Sequence, residues 1–221
     1  WFDAALNHVD IIGGLPKKDS THEAAHLDVV LKAAKQKKAI VHVHVDQFDS
    51  SEEKETELLA QKTIEHGLEG RVWAVHSISL AAHPEKYRKS VYQLLRDAGI
   101  GIIVCPFAGI DGRRSERLSP THNAIAPIDE LIDEGITVAL GTDNIADAMK
   151  PLGHHDMWNE LRLAIETCRL YDRPIDKIID MVTTNGWKAL GLDMPIIAST
   201  VPPSPLRSWM GSAVIGRPIT R

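Results

Sequence analysis

The chain contains short apolar runs in which polar residues recur at alternate positions, and the clearest run covers residues 39–47. His42, His44 and Asp46 stand at every second position there, with valines between them. Successive side chains of a strand point to opposite faces, so we expect these three polar groups to share one face. Burying such a face is costly unless something pairs with it. Two explanations remain open from this run alone: hydrogen-bonded core histidines, or a metal ion held by His and Asp.

Further apolar runs predict a repeating pattern of strands and helices. Strands are predicted at residues 9–12, 71–76, 100–106 and 136–143, and helices at residues 22–38, 50–65, 84–98, 127–134, 156–170 and 175–190. Ser50 or Ser51 is expected to begin the second helix, and Gly67 and Gly99 to end the second and third. The repeat, with a unit of about 30 residues, predicts a parallel sheet covered by helices.

Candidate ligands stand at the carboxyl ends of several predicted strands. His44 and Asp46 end one strand, His76 ends the next, and Asp143 ends the last. That edge carries the chemistry of a (β/α)8 barrel, and an open doubly wound sheet gathers its site there as well. The sequence has no glycine-rich phosphate loop after a strand, which argues against the nucleotide-binding version. His42 lies two residues deeper, and we expect it to have a hydrogen-bonded interior role.

Composition excludes several classes of function. The 221 residues carry a net charge of -5, so the chain lacks the excess of positive charge that is typical of proteins that bind nucleic acid or an anionic membrane surface. No apolar run approaches the roughly 20 residues of a membrane span, and there is no secretory leader. Cys105 and Cys168 form no metal-binding or redox spacing, which fits a reducing, cytoplasmic location. The chain begins at Trp1 rather than Met, which indicates a piece of a longer protein.

Several motifs in order resemble the amidohydrolase superfamily. They are His-Val-Asp-Gln at 44–47, Val-His-Ser at 75–77, Leu-Gly-Thr-Asp-Asn at 140–144, Thr-His-Asn-x-Ile-Ala-Pro at 121–127 and Pro-Leu-Gly-His-His-Asp-Met at 151–157. The similarity is to the cytosine deaminase and N-isopropylammelide amidohydrolase branch. It implies an α/β fold, the (β/α)8 TIM barrel, with only strands four to eight in this chain. Residues 1–193 would form the partial barrel domain, and residues 194–221 a proline- and serine-rich tail of unknown role.

The resemblance also implies roles for individual residues around one divalent metal ion, zinc or iron. His44 matches the strand-five metal ligand. Asp143 matches the strand-eight aspartate, which touches the metal and takes a proton from the attacking water. His76 matches the strand-six histidine, which polarises the substrate oxygen or stabilises the tetrahedral centre. The competing structural roles are a paired core histidine for His44, a polar core residue for His76 and a helix cap for Asp143.

Four further residues would contact a small heterocyclic substrate if the resemblance holds. Asp46, Gln47 and Asn144 would line the pocket, and His122 could reach it from the loop after strand seven, although a solvent-facing position is as good an expectation for His122. Deaminases of this branch typically carry Glu where Gln47 stands. Because an amide cannot titrate, Gln47 argues against ordinary cytosine deamination. The strand-one His-x-His pair of the family has no counterpart in this chain.

We therefore expect a metal-dependent hydrolase of C–N bonds other than peptide bonds, acting on a pyrimidine- or triazine-like ring through activated water. One alternative is a non-catalytic half-barrel that needs a partner chain or a second copy to complete the site, since exposed strand edges favour association into a homo-oligomer. Another is a cyclic-amide hydrolase of the same superfamily. No nucleic-acid or membrane partner is expected.

Overall fold

Five parallel strands form a single sheet in the computed structural model, which describes residues 2–110 and 124–193. The strands are β1 (Ile11–Gly14), β2 (Ile40–Val45), β3 (Val72–His76), β4 (Gly101–Val104) and β5 (Val138–Leu140). They are hydrogen-bonded in the order of the sequence, β1-β2-β3-β4-β5. A doubly wound sheet reverses its strand order at a switch point, whereas a barrel adds strands consecutively. The order therefore favours the barrel arrangement over the open alternative.

Helices connect successive strands, as the repeat of apolar patterns predicts. The α-helices are α1 (Phe2–Ala5), α2 (Glu23–Lys37), α3 (Glu55–His66), α4 (Glu85–Asp97), α5 (Pro106–Ile110), α6 (Ile128–Asp133), α7 (Met157–Thr167), α8 (Ile175–Asp180) and α9 (Thr184–Ala189), with 3-10 turns at Pro16–Asp19, Ile78–Ala82 and Leu170–Asp172. Gly67 and Gly99 follow α3 and α4 with φ of 64° and 58°, which confirms the predicted helix ends.

Two helix predictions are wrong in detail. The helix expected to start at Ser50 or Ser51 starts at Glu55, because Asp46 binds its first free N–H groups. The single helix expected at residues 175–190 is divided into α8 and α9, because Thr183 has φ of -131° and ψ of -96°, outside the helical region.

The two faces of the sheet differ in character. Val41, Val43 and Val45 are fully buried in the main hydrophobic core with Leu27 of α2 and Leu59 of α3. The alternate positions of β2 face the other way and are half-buried. Trp73 lies opposite His42 in the register of β2 and β3, in a smaller apolar cluster with Ala139 of β5 and Ala189 of α9. The polar face of β2 is thus the one turned away from the helices α2 and α3.

Within the described residues, no helix is long and apolar enough to cross a membrane.

Candidate functional site at the carboxyl edge of the sheet

The backbone leaves the ordinary strand conformation at the positions where the candidate ligands stand. Asp46, His76 and Asp143 have φ of 51°, 77° and 57°. Positive φ is uncommon for residues other than glycine, and backbone strain of this kind concentrates at functional sites. These three residues follow or end three different strands, β2, β3 and β5. The edge of the sheet is therefore held in a conformation that simple strand extension would not give.

His44 and His76 form the centre of the site. His76 pairs with Val45 in the register of β2 and β3, so strict alternation would place it on the helix-covered face. Instead, its Nε2 atom lies 3.1 Å from Nδ1 of His44, with ring centroids 5.0 Å apart. The positive φ of His76 accounts for this departure from alternation. One of the two nitrogens donates the hydrogen bond and the other accepts it.

Both imidazoles are held in the neutral form. Burial lowers the pKa of His44, against an opposing effect of the Asp143 charge. Burial, reinforced by the nearby His44, lowers the pKa of His76 to about 4, although Asp143 again opposes the shift. Neutral imidazole is the form that binds a metal ion or donates a single hydrogen bond to a substrate. The pair is therefore ready for either role near neutral pH.

Asp143 completes the predicted constellation. Its Oδ2 atom lies 3.7 Å from Nε2 of His76, and its side chain is 26% exposed. The residue follows β5 by three positions, and Gly141 between them donates its N–H to the carbonyl of Val104 at 2.9 Å. The extension of β5 along β4 thus carries the carboxylate to the histidines, with access to solvent.

Cys105 joins this site, although sequence analysis assigned it no chemistry. One nitrogen of His76, Sγ of Cys105 and one carboxylate oxygen of Asp143 all lie within 4.8 Å of one another. Cys105 is buried, and burial raises the pKa of its thiol, with Asp143 and Glu160 adding to the effect. The spacing of the two cysteines in the sequence gives no sign of this role. The position of Cys105 directly after β4, the same signal that singled out His76 and Asp143, could have found it.

Asp46 departs from the predicted arrangement. Its carboxylate is 1% exposed, and its two oxygens accept hydrogen bonds from N–H of Glu55 at 2.7 Å and N–H of Thr56 at 3.0 Å. Glu55 in return accepts a bond from N–H of Asp46 at 3.0 Å. The expectation that Asp46 shares a face with His42 and His44 is wrong, because free N–H groups at the start of α3 attract the carboxylate. Its place in the substrate pocket stays a prediction.

The other three predicted substrate contacts are Gln47, Asn144 and His122, and the structure describes the first two. Gln47 is half-buried just beyond Asp46. Asn144 follows Asp143, and its Nδ2 donates to Oδ2 of Asp147 at 2.5 Å, which fixes the orientation of its amide. His122 lies outside the described residues. Gln47 and Asn144 remain predicted substrate contacts.

His42 has the interior role that its depth in the strand predicts. Its Nε2 atom lies 2.7 Å from the carbonyl oxygen of Ala189, so β2 is tied to α9. Burial lowers its pKa, although the bond to Ala189 opposes the shift. His42 therefore supports the fold beneath the site, and His44 is the histidine of this strand that reaches the edge.

Comparison with known proteins decides the family. The sequence profile of the amidohydrolase family matches residues 7–196. The chain belongs to the amidohydrolase family. The resemblance predicted from its motifs is thereby confirmed, and the five parallel strands match about half of a TIM-barrel amidohydrolase structure.

Proteins similar to this chain include an amidohydrolase and a deaminase. An uncharacterized protein of Haemophilus influenzae is 48% identical over 137 residues, covering 61% of this chain and 50% of that protein. N-isopropylammelide isopropyl amidohydrolase of Pseudomonas sp. is 29% identical over 188 residues, covering 83% and 43%. The 5-methylcytosine deaminase of Klebsiella pneumoniae, solved with phosphonocytosine, has a TM-score of 0.77 at 25% identity, covering 86% and 47%. The chain spans about half the length of these relatives.

Zinc occurs in solved relatives of this fold, and the donor atoms found here suit it. An adenosine deaminase from Xanthomonas campestris was solved with bound zinc; it has a TM-score of 0.55 at 21% identity and covers 80% of this chain and 38% of that one. Imidazole nitrogen, thiolate sulfur and carboxylate oxygen are the ligands that zinc takes in proteins. The carboxyl edge of the sheet brings one nitrogen, one sulfur and one oxygen ligand together in His76, Cys105 and Asp143, so these residues fit zinc.

Proposed function

We propose that this chain carries one half of the active site of a metal-dependent amidohydrolase that hydrolyses an exocyclic C–N bond on a pyrimidine- or triazine-like ring. The observation that supports the proposal is the convergence of His44, His76 and Asp143, from three strands, at one edge of the sheet. Relatives named for N-isopropylammelide and 5-methylcytosine point to such rings as the substrate class.

His44 and Asp143 are the residues that would hold the metal in this function. When bound, a divalent ion supplies a Lewis acid that brings the pKa of water toward neutrality. Asp143 is partly exposed, so it can accept the proton of the attacking water and exchange with solvent. Neutral His76 donates a hydrogen bond to the ring oxygen or to the negative charge that develops at the attacked carbon.

Departure of the amine needs a proton, and the residues available indicate its source. Gln47 cannot supply one, because an amide does not titrate in this range. Asp143, protonated by the attacking water, can return that proton to the leaving nitrogen as the C–N bond breaks. The ring keeps the hydroxyl oxygen and the amine leaves neutral, so protons and electrons balance.

Release of amine or ammonia from a panel of aminopyrimidines and alkylaminotriazines tests this function in zinc- or iron-loaded protein. Asp143→Asn should lower the rate at least 100-fold, a typical contribution of general acid–base catalysis, which is roughly 10²–10⁴-fold. Asp133→Asn is a matched control, because Asp133 is an exposed carboxylate at the end of α6 that pairs with Arg173. Equal rates for Asp143→Asn and the unchanged chain would contradict the proposal. Ring opening without amine release would identify a cyclic-amide hydrolase.

A second candidate function is a half-barrel that is active only when another chain completes the site. The observation that favours it is that β1 and β5 each pair with one strand only among the described residues, which leaves two sheet edges for association. Analytical ultracentrifugation, combined with the activity assay on each species, separates the two candidate functions. An inactive monomer together with an active homo-oligomer or mixed complex would support the half-barrel.

A further inference from the structure

The thiol of Cys105 is a candidate metal ligand at the edge that the proposed function does not use. Cys105 follows β4, and its side chain is 5% exposed. Its Sγ atom, a nitrogen of His76 and an oxygen of Asp143 lie within 4.8 Å of one another. The other cysteine, Cys168, follows α7 and its Sγ contacts the carbonyl of Ala126 instead. The two cysteines therefore have separate surroundings, and among the described residues Cys105 is the one that lies near other metal-ligating side chains.

The distances between these three atoms are close to the distances between ligand atoms around a bound zinc ion. Ligand atoms around tetrahedral zinc lie roughly 3.3–3.6 Å apart, given bond lengths of about 2.0–2.3 Å. The His76 nitrogen and the Asp143 oxygen are already 3.7 Å apart. The other distances among the three ligand atoms are at most 4.8 Å. That limit exceeds the distance between zinc ligand atoms by little more than 1 Å, so side-chain movements of about 1 Å would bring the three atoms to zinc-binding positions.

Gly141 leaves the space in which the sulfur lies. A Cβ atom built on Gly141 would stand 3.3 Å from Sγ of Cys105 and 3.2 Å from Cγ2 of Ile103, closer than side chains normally approach. Because β4 and β5 are adjacent in the sheet, a larger residue at this position would push the thiol out of line. The glycine is thus part of the packing that aims Cys105 at His76 and Asp143.

Glu160 supports the segment that carries Cys105. Glu160 lies on α7 and is completely buried. Its Oε2 atom accepts a hydrogen bond at 3.0 Å from the N–H of Phe107, the residue two positions after Cys105. The other oxygen, Oε1, is buried without a hydrogen-bond partner among the residues that the structure describes. A buried carboxylate oxygen with no partner is unusual and is commonly explained by an ion or water. An ion or a water molecule would supply the partner that Oε1 lacks.

We propose that His76, Cys105 and Asp143 form a three-ligand centre for a thiophilic divalent ion, with zinc as the natural occupant and the Cys105 thiolate as a direct ligand. This goes beyond the proposed function. There, His44 and Asp143 hold the metal and His76 contacts the substrate, whereas in this centre His76 and Cys105 take the place of His44 as ligands beside Asp143. On binding, the thiol gives its proton to solvent as the metal–sulfur bond forms. Three protein ligands with an open fourth position is the arrangement usual for catalytic zinc. Sulfur also selects zinc over magnesium, calcium and manganese.

Cobalt(II) titration of the full chain tests this centre without relying on activity. Cobalt takes the place of zinc and gives an intense ultraviolet charge-transfer band only when a thiolate is bound, while its visible bands report binding by any ligand. We expect the unchanged chain and the control Cys168→Ser to show both signals, and Cys105→Ser to lose the ultraviolet band. Affinity should fall by at least about 10–100-fold, the range already seen for loss of outer-shell partners.

The possible spectra separate this inference from the proposed function. Visible bands without the charge-transfer band in the unchanged chain would overturn the thiolate ligand and leave a metal at His44 and Asp143 intact. A charge-transfer band that disappears in Cys168→Ser but survives in Cys105→Ser would also overturn it. Absence of all cobalt signals would refute the three-ligand centre in this chain. The outcomes without a charge-transfer band, or without any cobalt signal, are read from the unchanged protein alone, so an unfolded variant cannot obscure them.

Discussion

Removal of the Asp46 carboxylate should destabilise the chain without acting on the metal ligands. The carboxylate is buried and accepts two backbone hydrogen bonds, at 2.7 and 3.0 Å, from the first turn of α3. Asp46→Ala would leave two N–H groups without a partner, and each buried unsatisfied group costs about 1–3 kcal/mol. Measured losses of helix caps are about 0.5–2 kcal/mol. Two such groups amount to about 2–6 kcal/mol, and the smaller losses measured for caps favour the lower part of that range, so we expect a loss of about 2–4 kcal/mol of unfolding free energy.

Urea denaturation of matched variants measures this loss. Asp46→Asn keeps one acceptor oxygen, so it should cost about half as much as Asp46→Ala, or about 1–2 kcal/mol. Ser50→Ala is the control, because Ser50 is where the sequence pattern predicted the helix to begin; it should stay within about 0.5 kcal/mol of the unchanged chain. The reasoning would be refuted if Ser50→Ala were the more damaging change, or if Asp46→Ala left stability intact and altered only substrate affinity.

Other substitutions separate support of the fold from chemistry at the edge. His42→Leu removes the bond to the Ala189 carbonyl and should cost about 1–3 kcal/mol in urea denaturation while metal affinity is unchanged; loss of metal would contradict the interior role. Gly141→Ala should cost about 1–3 kcal/mol through overpacking against Cys105 and should weaken cobalt binding, and unchanged cobalt spectra would contradict the packing argument. Burial opposes ionisation of Glu130, but hydrogen bonds from Arg88 and Tyr92 outweigh burial and lower the pKa of Glu130. Ionised Glu130 therefore stabilises the fold above the ordinary glutamate pKa, and this stabilisation is lost as the pH falls through the lowered pKa. Glu130→Gln should therefore remove part of the acid sensitivity of unfolding, by less than about 1 kcal/mol because the pair is partly exposed, and identical pH profiles for the two proteins would contradict this assignment.

Alternation along the chain was sufficient to predict the sheet. The valines of β2 form its buried face, and the residues at the strand ends, His44, His76 and Asp143, meet at one edge as predicted. These features follow from local rules, since a strand has a period of two and parallel strands share an edge. The choice of barrel over doubly wound sheet did not follow from the pattern, because both use the same units; it came from the family motifs and from the consecutive strand order.

What the pattern could not predict depends on contacts between distant segments. Asp46 continues the alternation of β2 in sequence, but the start of α3 binds its carboxylate and turns it away. His76 breaks alternation in the opposite sense, because positive φ brings its ring to His44. Cys105 forms no recognisable pair with the other cysteine of the sequence. Its position directly after β4 suggests that it belongs to the edge, but its proximity to a histidine and a carboxylate is seen in the structure. In each case the deciding neighbour is on another strand or helix.

Metal content per chain, measured by elemental mass spectrometry on dialysed protein, is the most direct test of a metal-dependent site at this edge. The account predicts about one zinc or iron ion per chain, retained by His42→Leu and lost by Asp143→Asn, because Asp143 contributes to both the proposed hydrolase site and the sulfur-containing centre. His44→Ala should lower the metal content if the ion lies between His44 and Asp143, and should leave it unchanged if the ion lies between His76, Cys105 and Asp143. A chain that holds no metal, or one that holds the same amount after Asp143→Asn, would contradict the account.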